Sequence, residues 1–362
     1  MNETTASRQI AVIAPANIKY VPYIQNYLTM LRSTGARVHV LSWDKRGLSE
    51  PEADFAWHHR VRDNQRGKML LGHARFAGKC RGYIRRHRIT HLIILTAAPA
   101  FFLGVGFLKK FSGRYLLDIR DDSPLVRRFP GTFQQICAMA KQVITSSPLF
   151  NRWIPVPTLL CHNADCAQIQ SRMEDSCKQS CGEPISIVFA GMLNEGRINL
   201  ELLRHAGRDR RFRFWFIGSD CKNKNAIADY ARAENLNSVS FQGTYDKDDI
   251  YDIYRQKADL VNIIREKSTV NRNALPNKLY DAVLAGVPVV VLSHNEAIAA
   301  YAKEYHLGLV LEEDLPAFPD TVADAMARFD YTAYARGRRA FLQKVLEDMA
   351  LFRQTLTAFA ER

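Results

Sequence analysis

Strand-length apolar runs alternate with helix-length amphipathic runs through almost the whole chain, and this order constrains the fold more than any single motif. In the first half "IAVIAP" (10–15), "RVHVLSW" (37–43), "HLIILT" (91–96), "RYLLDIRD" (114–121), "VITSS" (143–147) and "TLLCHNAD" (158–165) read as strands. Helical runs separate them: "YVPYIQNYLTMLRSTG" (20–35, ended by Gly35), a basic run to residue 88, "AFFLGVGFLKKF" (100–111) and "FQQICAMAKQ" (133–142). Strands that alternate with helices specify a parallel, doubly wound sheet. A polar stretch without strand signal, Ala167–Pro184, reads as a linker.

A second alternation follows it. Strands are expected at "ISIVFAGML" (185–193), "FRFWFIGSD" (212–220), "VSFQGTY" (239–245), "ADLVNII" (258–264), "VPVVVLS" (287–293) and "GLVLEE" (308–313). Helices are expected at "NLELLRHAG" (199–207), "NAIADYARAENL" (225–236), "KDDIYDIYRQ" (247–256), 276–285 and "EAIAAYAKEYH" (296–306). The expectation is an α/β chain of two Rossmann-like domains, at 1–166 and 185–330, joined by the linker 167–184. Residues 331–362 are helical and close the chain by packing back toward the N-terminal domain. A chain of 362 residues with 47% hydrophobic side chains has the length and the apolar material for two cores.

Composition removes several classes. Pro99 divides the most apolar stretch, His91–Leu108, into a strand-sized and a helix-sized half, which argues against a membrane span. The polar start "MNETTASRQ" has no secretory apolar run, and the odd count of seven cysteines then fits reduced thiols in a cytoplasmic protein. Four of those cysteines fall within 161–181 beside His162, without the paired Cys-x-x-Cys knuckles of a zinc site. No metal and no cofactor are expected. The formal charge of +13 is concentrated: Arg60–Arg88 holds ten Lys/Arg and one acid, Asp63. Met69, Leu70, Phe76, Ala77, Cys80, Tyr83 and Ile84 fall near helical spacing within it. A basic amphipathic helix suits an anionic membrane surface, and a peripheral place at the inner face of the plasma membrane is expected. The run lacks interleaved stacking aromatics, so no nucleic-acid partner is expected.

The segment "NALPNKLYDAVLAGVPVVV" (273–291) places Lys278 and Asp281 about one turn apart at the start of a helix. Pro276 suits its first turn, and Gly286 and Pro288 end it before a buried strand. Taken as a set with "IVFAGML" and Arg197, "VSFQGTYDKDDIYDIYRQKADL", "DIRDDSP" and "ITSSPLFNRW", this segment resembles a glycosyltransferase of the GT-B fold. The group in question is the large bacterial one that builds capsule, exopolysaccharide and lipopolysaccharide from nucleotide sugars. The resemblance covers nearly the whole chain. It implies two domains facing across a cleft, a nucleotide-diphosphate-sugar donor (UDP by default) on the C-terminal domain, and a glycan or lipid-linked acceptor on the N-terminal one.

The resemblance assigns donor binding to Gly191, Arg197, Gly218, Thr244, Tyr245, Asn273, Asn277, Lys278, Tyr280 and Asp281. A helix N-terminus with Lys278 and Arg197 would stabilise the leaving diphosphate without a metal, and Asp281 would accept from the ribose hydroxyls. Retaining relatives carry Glu-x7-Glu, with the second glutamate where Asp281 stands. Asn273 holds the place of the first, and Met192 replaces an arginine after Gly191. An inverting reaction is therefore open, with a base among Asp118, Asp121 and Asp122 of "DIRDDSP". Asp121, at the strand exit, is favoured, and Asp118 is second. Asn17, Lys19 and Tyr20 of the first strand's exit loop are expected at the acceptor. A non-catalytic nucleotide-sugar-binding subunit and a nucleotide-sugar epimerase remain as alternatives.

Overall fold

The computed structural model describes residues 8–48, 50–61, 66–193 and 195–361. The start of the polar N-terminus, and Arg62 and Asp63 of the basic stretch, lie outside the described residues. The chain divides into two compact units, Met1–His162 with Asp348–Arg362, and Asn163–Glu347.

The first unit runs β1 (Gln9–Ala14), α1 (Ile24–Ser33), β2 (Arg37–Asp44), β3 (Phe55–His58), α2 (Arg66–Arg86), β4 (His91–Leu95), α3 (Ala97–Leu103), α4 (Val105–Leu108), β5 (Tyr115–Ile119), α5 (Pro124–Arg128), α6 (Pro130–Met139), β6 (Gln142–Thr145) and β7 (Thr158–Leu160). Its described strands form one parallel seven-stranded sheet in the order β3-β2-β1-β4-β5-β6-β7. β1 and β5 are buried on both faces, which is why their sequences are continuous apolar runs rather than alternating ones. The run 100–111 is not one helix. Gly104 breaks it between α3 and α4 at φ 81°, ψ 147°, a conformation that a side chain would oppose. α2 buries Phe76, Ala77, Cys80 and Ile84 in the core, whereas Leu70, expected on that face, is exposed together with Leu71. Among the described residues no helix is long and apolar enough to cross a membrane.

The second unit runs α7 (Cys166–Arg172), β8 (Ile185–Ala190), α8 (Gly196–Ala206), β9 (Phe212–Ile217), α9 (Lys222–Ala233), β10 (Val239–Gln242), α10 (Ile250–Lys257), β11 (Leu260–Asn262), α11 (Thr269–Asn273), α12 (Asn277–Ala285), β12 (Val289–Leu292), α13 (Glu296–Glu304), β13 (Gly308–Leu311) and α14 (Phe318–Ala327). A last helix, α15 (Tyr331–Glu361), begins in this unit and ends in the first. The described strands form a six-stranded parallel sheet, β10-β9-β8-β11-β12-β13. In both sheets the order reverses beside the unit's first strand, as in doubly wound nucleotide-binding sheets. The α/β, doubly wound expectation therefore holds for each unit.

Residues 167–184 belong to the second unit. After α7 the chain lies along the end of α12, where Lys178 N–H donates to Gly286 O at 2.9 Å. Gly286 closes α12 in the left-handed region (φ 72°, ψ 31°), and a Cβ there would stand 2.9 Å from Ser176 O. Arg338 of α15 completes this junction. It is fully buried, and its guanidinium donates to five carbonyls: Val283 and Leu284 of α12 (2.7 and 3.4 Å), Arg172 of α7 (2.6 Å), and Met173 and Asp175 (2.8 and 3.3 Å). A cation thus meets the orphan carbonyls of two helix C-termini.

Replacing Arg338 by Met keeps the apolar stem and strands those carbonyls. At ~1–3 kcal/mol per buried unsatisfied group, the second unit should lose at least ~3 kcal/mol of stability in urea denaturation. A loss below about 1 kcal/mol would show that water replaces the guanidinium.

Candidate active site

β8 and β9 end side by side, and their exits make a floor of bare backbone. Gly191 turns at φ 116° and donates its N–H to Ile217 O at 2.8 Å. Gly218, at φ 150°, lies so close that a Cβ would overlap the Gly191 carbonyl. Lys224 of α9 secures the arrangement. Its buried ammonium donates to Gly218 O (2.7 Å), Gln242 O (2.9 Å) and Asp220 Oδ1 (3.1 Å), tying the exit of β9 to the end of β10.

Lys278 and Tyr245 come to this floor. Lys278 Nζ lies 3.4 Å, and Tyr245 Oη 3.8 Å, from the point where a Gly191 Cβ would stand. Lys278 Nζ also sits over the Phe189 ring, 4.4 Å from its centroid. Burial, then the charge of Arg265, lower the Lys278 pKa to about 8 against the pull of Asp281 and Glu195. One turn along α12, burial raises the Asp281 carboxyl to about 6 although Lys247 and Lys278 oppose this. Neither Lys278 nor Asp281 makes a hydrogen bond or close ion pair with a described residue. Burial and the Asp281 charge lift Tyr245 to about 12 and Tyr254 well above its ordinary value. The buried Tyr254 hydroxyl and the buried Asn273 Oδ1 have no partner among the described residues.

The structure thus brings together Gly191, Gly218, Tyr245, Lys278 and Asp281. It buries Tyr280 in the core instead, with its ring stacked 6.0 Å from Phe341 of α15. Arg197 is 84% exposed, with Nε 3.9 Å from Glu266 Oε2. Thr244 and Asn277 are exposed, and Pro276 occupies the N-cap (φ −77°, ψ 153°) rather than the first turn. The second cation acting on Lys278 is Arg265, which the sequence reading missed. It directly follows "ADLVNII", at the strand exit where such sheets hold ligands, and that position was the available signal. Glu195 braces it: Oε1 accepts from Arg265 Nε (3.4 Å) and Asn271 Nδ2 (3.3 Å), and Oε2 from Glu266 N–H (3.0 Å).

In the first unit Asp118 is not available as a base. It is fully buried, accepting from Tyr27 Oη (2.6 Å) and from Arg120 Nε and Nη2 (2.7 and 2.9 Å). The Arg120 guanidinium lies in turn over the Tyr23 ring at 4.3 Å. Asp122 is paired with Arg127. Asp121 is exposed, and its charge is felt by Tyr23. Asn17 is committed to structure: Nδ2 donates to Asp44 Oδ1 (2.6 Å) and Oδ1 accepts from Lys45 N–H (3.2 Å). Lys19 and Tyr20 are exposed. In the cysteine-rich stretch Cys161 is buried against Arg120 Nη2 at 3.1 Å, and Cys166, Cys177 and Cys181 are half-buried.

Residues 184–329, which include every member of this cluster, match the family model described as Glycosyl transferases group 1. That stretch of the chain is similar to the group 1 glycosyltransferases. No curated protein matches the chain in sequence. Solved structures share its fold over nearly its full length. A glycosyltransferase from Rickettsia africae matches with TM-score 0.67 at 12% identity, over 98% of this chain and 99% of that one. A sucrose-phosphate synthase from Thermosynechococcus elongatus matches with TM-score 0.65 at 15% identity, over 97% and 100%. WaaG, a glycosyltransferase involved in lipopolysaccharide biosynthesis, matches with TM-score 0.63 at 11% identity, over 96% and 99%. At these identities the likeness is one of fold, the GT-B pairing of two Rossmann-like domains.

The shifted lysine, Lys278, responds to pH. Its pKa is lowered from 10.5 to about 8, so the charged form destabilises the unliganded fold below about 8, and that cost fades as pH rises toward 10.5. A diphosphate bound against Lys278 would favour the charged form and reverse the shift. Nucleoside diphosphate affinity should therefore fall as pH rises through about 8. Calorimetry at that pH, in buffers of different ionisation enthalpy, should show uptake of up to about half a proton. Lys278→Met should abolish that uptake.

Proposed function

We propose that the chain moves a sugar from a nucleotide diphosphate sugar, UDP-linked by default, to a glycan or lipid-linked acceptor held by the first unit. The pathway is bacterial surface polysaccharide synthesis. The observation that carries this reading is the pair Lys278 and Asp281, half-buried and without hydrogen bonds to described residues, beside the bare backbone of Gly191. A cation and a carboxylate held this way suit a ligand with a diphosphate and a ribose diol. As the glycosidic bond breaks, charge grows on the diphosphate, and Lys278, Arg265 and the N-terminus of α12 stabilise it. Asp281, with Tyr245, accepts from the ribose hydroxyls. This division of labour needs no metal. In an inverting reaction the acceptor hydroxyl gives its proton to Asp121, the one exposed carboxylate of the three candidates.

One transfer assay with a labelled nucleotide sugar tests both halves. Lys278→Ala should weaken donor binding at least tenfold, as loss of a charge-assisted contact of ~1.5–3 kcal/mol requires. Asp121→Asn should lower turnover by about 10²–10⁴ while donor binding stays intact. Unchanged binding in the first variant, or normal turnover in the second, removes that residue from its role.

We also place the protein at an anionic membrane surface through α2. Lys68, Leu71, Arg75, Lys79 and Arg86 recur at helical spacing on its exposed face, and Leu71 is 60% exposed. Vesicles containing phosphatidylglycerol should sediment the wild-type chain at low salt and release it at high salt. Leu70→Glu with Leu71→Glu should abolish sedimentation. Binding that survives both changes would refute α2 as the contact.

A further inference from the structure

Three loops leave the carboxyl ends of β1, β2 and β3, the side on which open parallel sheets hold ligands. Each brings cations: Lys19 after β1, Lys45 and Arg46 after β2, and Arg60 after β3. Contacts tie the three loops to one another. The Arg46 guanidinium lies 4.6 Å from the Tyr20 ring centroid, and Nη1 donates to Tyr20 Oη at 3.4 Å. Gly47, at φ 72°, lets the Arg60 guanidinium settle on the backbone of the β2 loop, with Nε 3.1 Å from where a side chain would begin. Lys45 Nζ stands 4.5 Å over the Trp43 ring. A Cβ on Gly72 would overlap that same ring, so the early turns of α2 join the cluster, and the first turn of α2 carries no acid.

The described acids of these loops are turned to structural roles. Asp44 is fully buried, and its Oδ1 accepts from Asn17 and from the N–H groups of Arg46, Gly47 and Leu48 at 3.0, 2.7 and 3.1 Å. This inward anion folds the β2 loop. Glu50 accepts from Ile18 N–H at 2.7 Å and from Ser42. Glu52 and Asp54 lie at the opposite end of β3, accepting from Gln25 Nε2 and Val40 N–H, each at 2.8 Å.

We propose that this cluster binds a phosphate or diphosphate ester on the acceptor, so that the substrate is an anionic glycan. Two guanidiniums on neighbouring loops suit the planar, bidentate recognition of phosphate oxygens, and the exposed Tyr20 ring beside them suits the adjoining sugar. The proposal rests on the reading that the first unit receives the acceptor.

Inorganic pyrophosphate, titrated calorimetrically into the full chain at matched ionic strength, should fill two sites. Lys278→Ala should remove one, and the pair Arg46→Gln, Arg60→Gln should weaken the other at least tenfold. Two unaltered sites in the arginine pair overturn the proposal and leave the donor reading standing. Two sites in Lys278→Ala overturn the donor reading instead. Should the arginine pair fail to fold, as judged by its Tm, the pair Lys19→Gln, Lys45→Gln must show the same loss. Two acceptors then separate the sources of the phosphate: a soluble hexose phosphate, and a polyprenyl diphosphate sugar in micelles. Whichever is used should outcompete its phosphate-free counterpart, and the arginine pair should reduce that preference at least tenfold. No preference in the wild type would refute an anionic acceptor.

Discussion

The geometry of the second unit depends on the hold that the Arg338 guanidinium has on the C-terminus of α12. That helix presents Lys278 and Asp281, and a rotation of its axis would carry both off the Gly191 floor. The donor proposed above needs its N-terminus open, and the helix is fixed from the other end. The left-handed turn at Gly286, the chain around Ser176–Lys178 and the five carbonyls around Arg338 all act at that closed end. A buried cation without a carboxylate partner is an expensive way to anchor a helix. Here two helix C-termini supply the negative potential that a carboxylate would otherwise provide.

At the open end the chain accepts the opposite situation. Lys278 and Asp281 are both shifted toward their neutral forms by burial, and each is the other's only nearby relief on α12. The unliganded site is therefore frustrated, and a diphosphate and a diol would complete it. Glu195 and Lys224 do not touch this pair. They stiffen the loops on either side, so that the frustration is not relieved by local collapse.

Much of the fold was legible because the sheets are parallel and buried on both faces, so strands such as β1 and β12 announce themselves as apolar runs. β3 was not, since three half-buried residues and an exposed one become a strand only by pairing with β2. The short helices α5 and α11 were missed because one or two turns carry too little periodicity to read. Lys278 and Asp281 were visible as one short motif, and the structure sets Lys278 beside Gly191. The burial of Asp118 was legible in part, since it lies among the inward apolar residues of β5, but its pairing was not, because a carboxylate two residues before an arginine gives no sign that the two will fold onto one another. Tyr280 was placed wrongly for a related reason. One residue of helix rotation separates a ligand-facing side chain from a core one, and the position of Phe341 on α15 decides between them.

The first unit is discontinuous. Phe352 packs edge to face on Tyr27, with ring centroids 5.1 Å apart. Phe359 does the same with His91 at 5.2 Å, and Asp348 meets His162 at 3.0 Å. The 185 residues Asn163–Glu347 intervene in the chain. On a ribosome adding about 5–20 residues each second, the first unit would wait about 10–40 s for its last helix. During that interval the apolar flank beside α1 and β4 is bare, which makes the half-made chain a natural client for a chaperone. Codon-dependent pauses in the second unit would lengthen that exposure without altering a single contact of the finished protein.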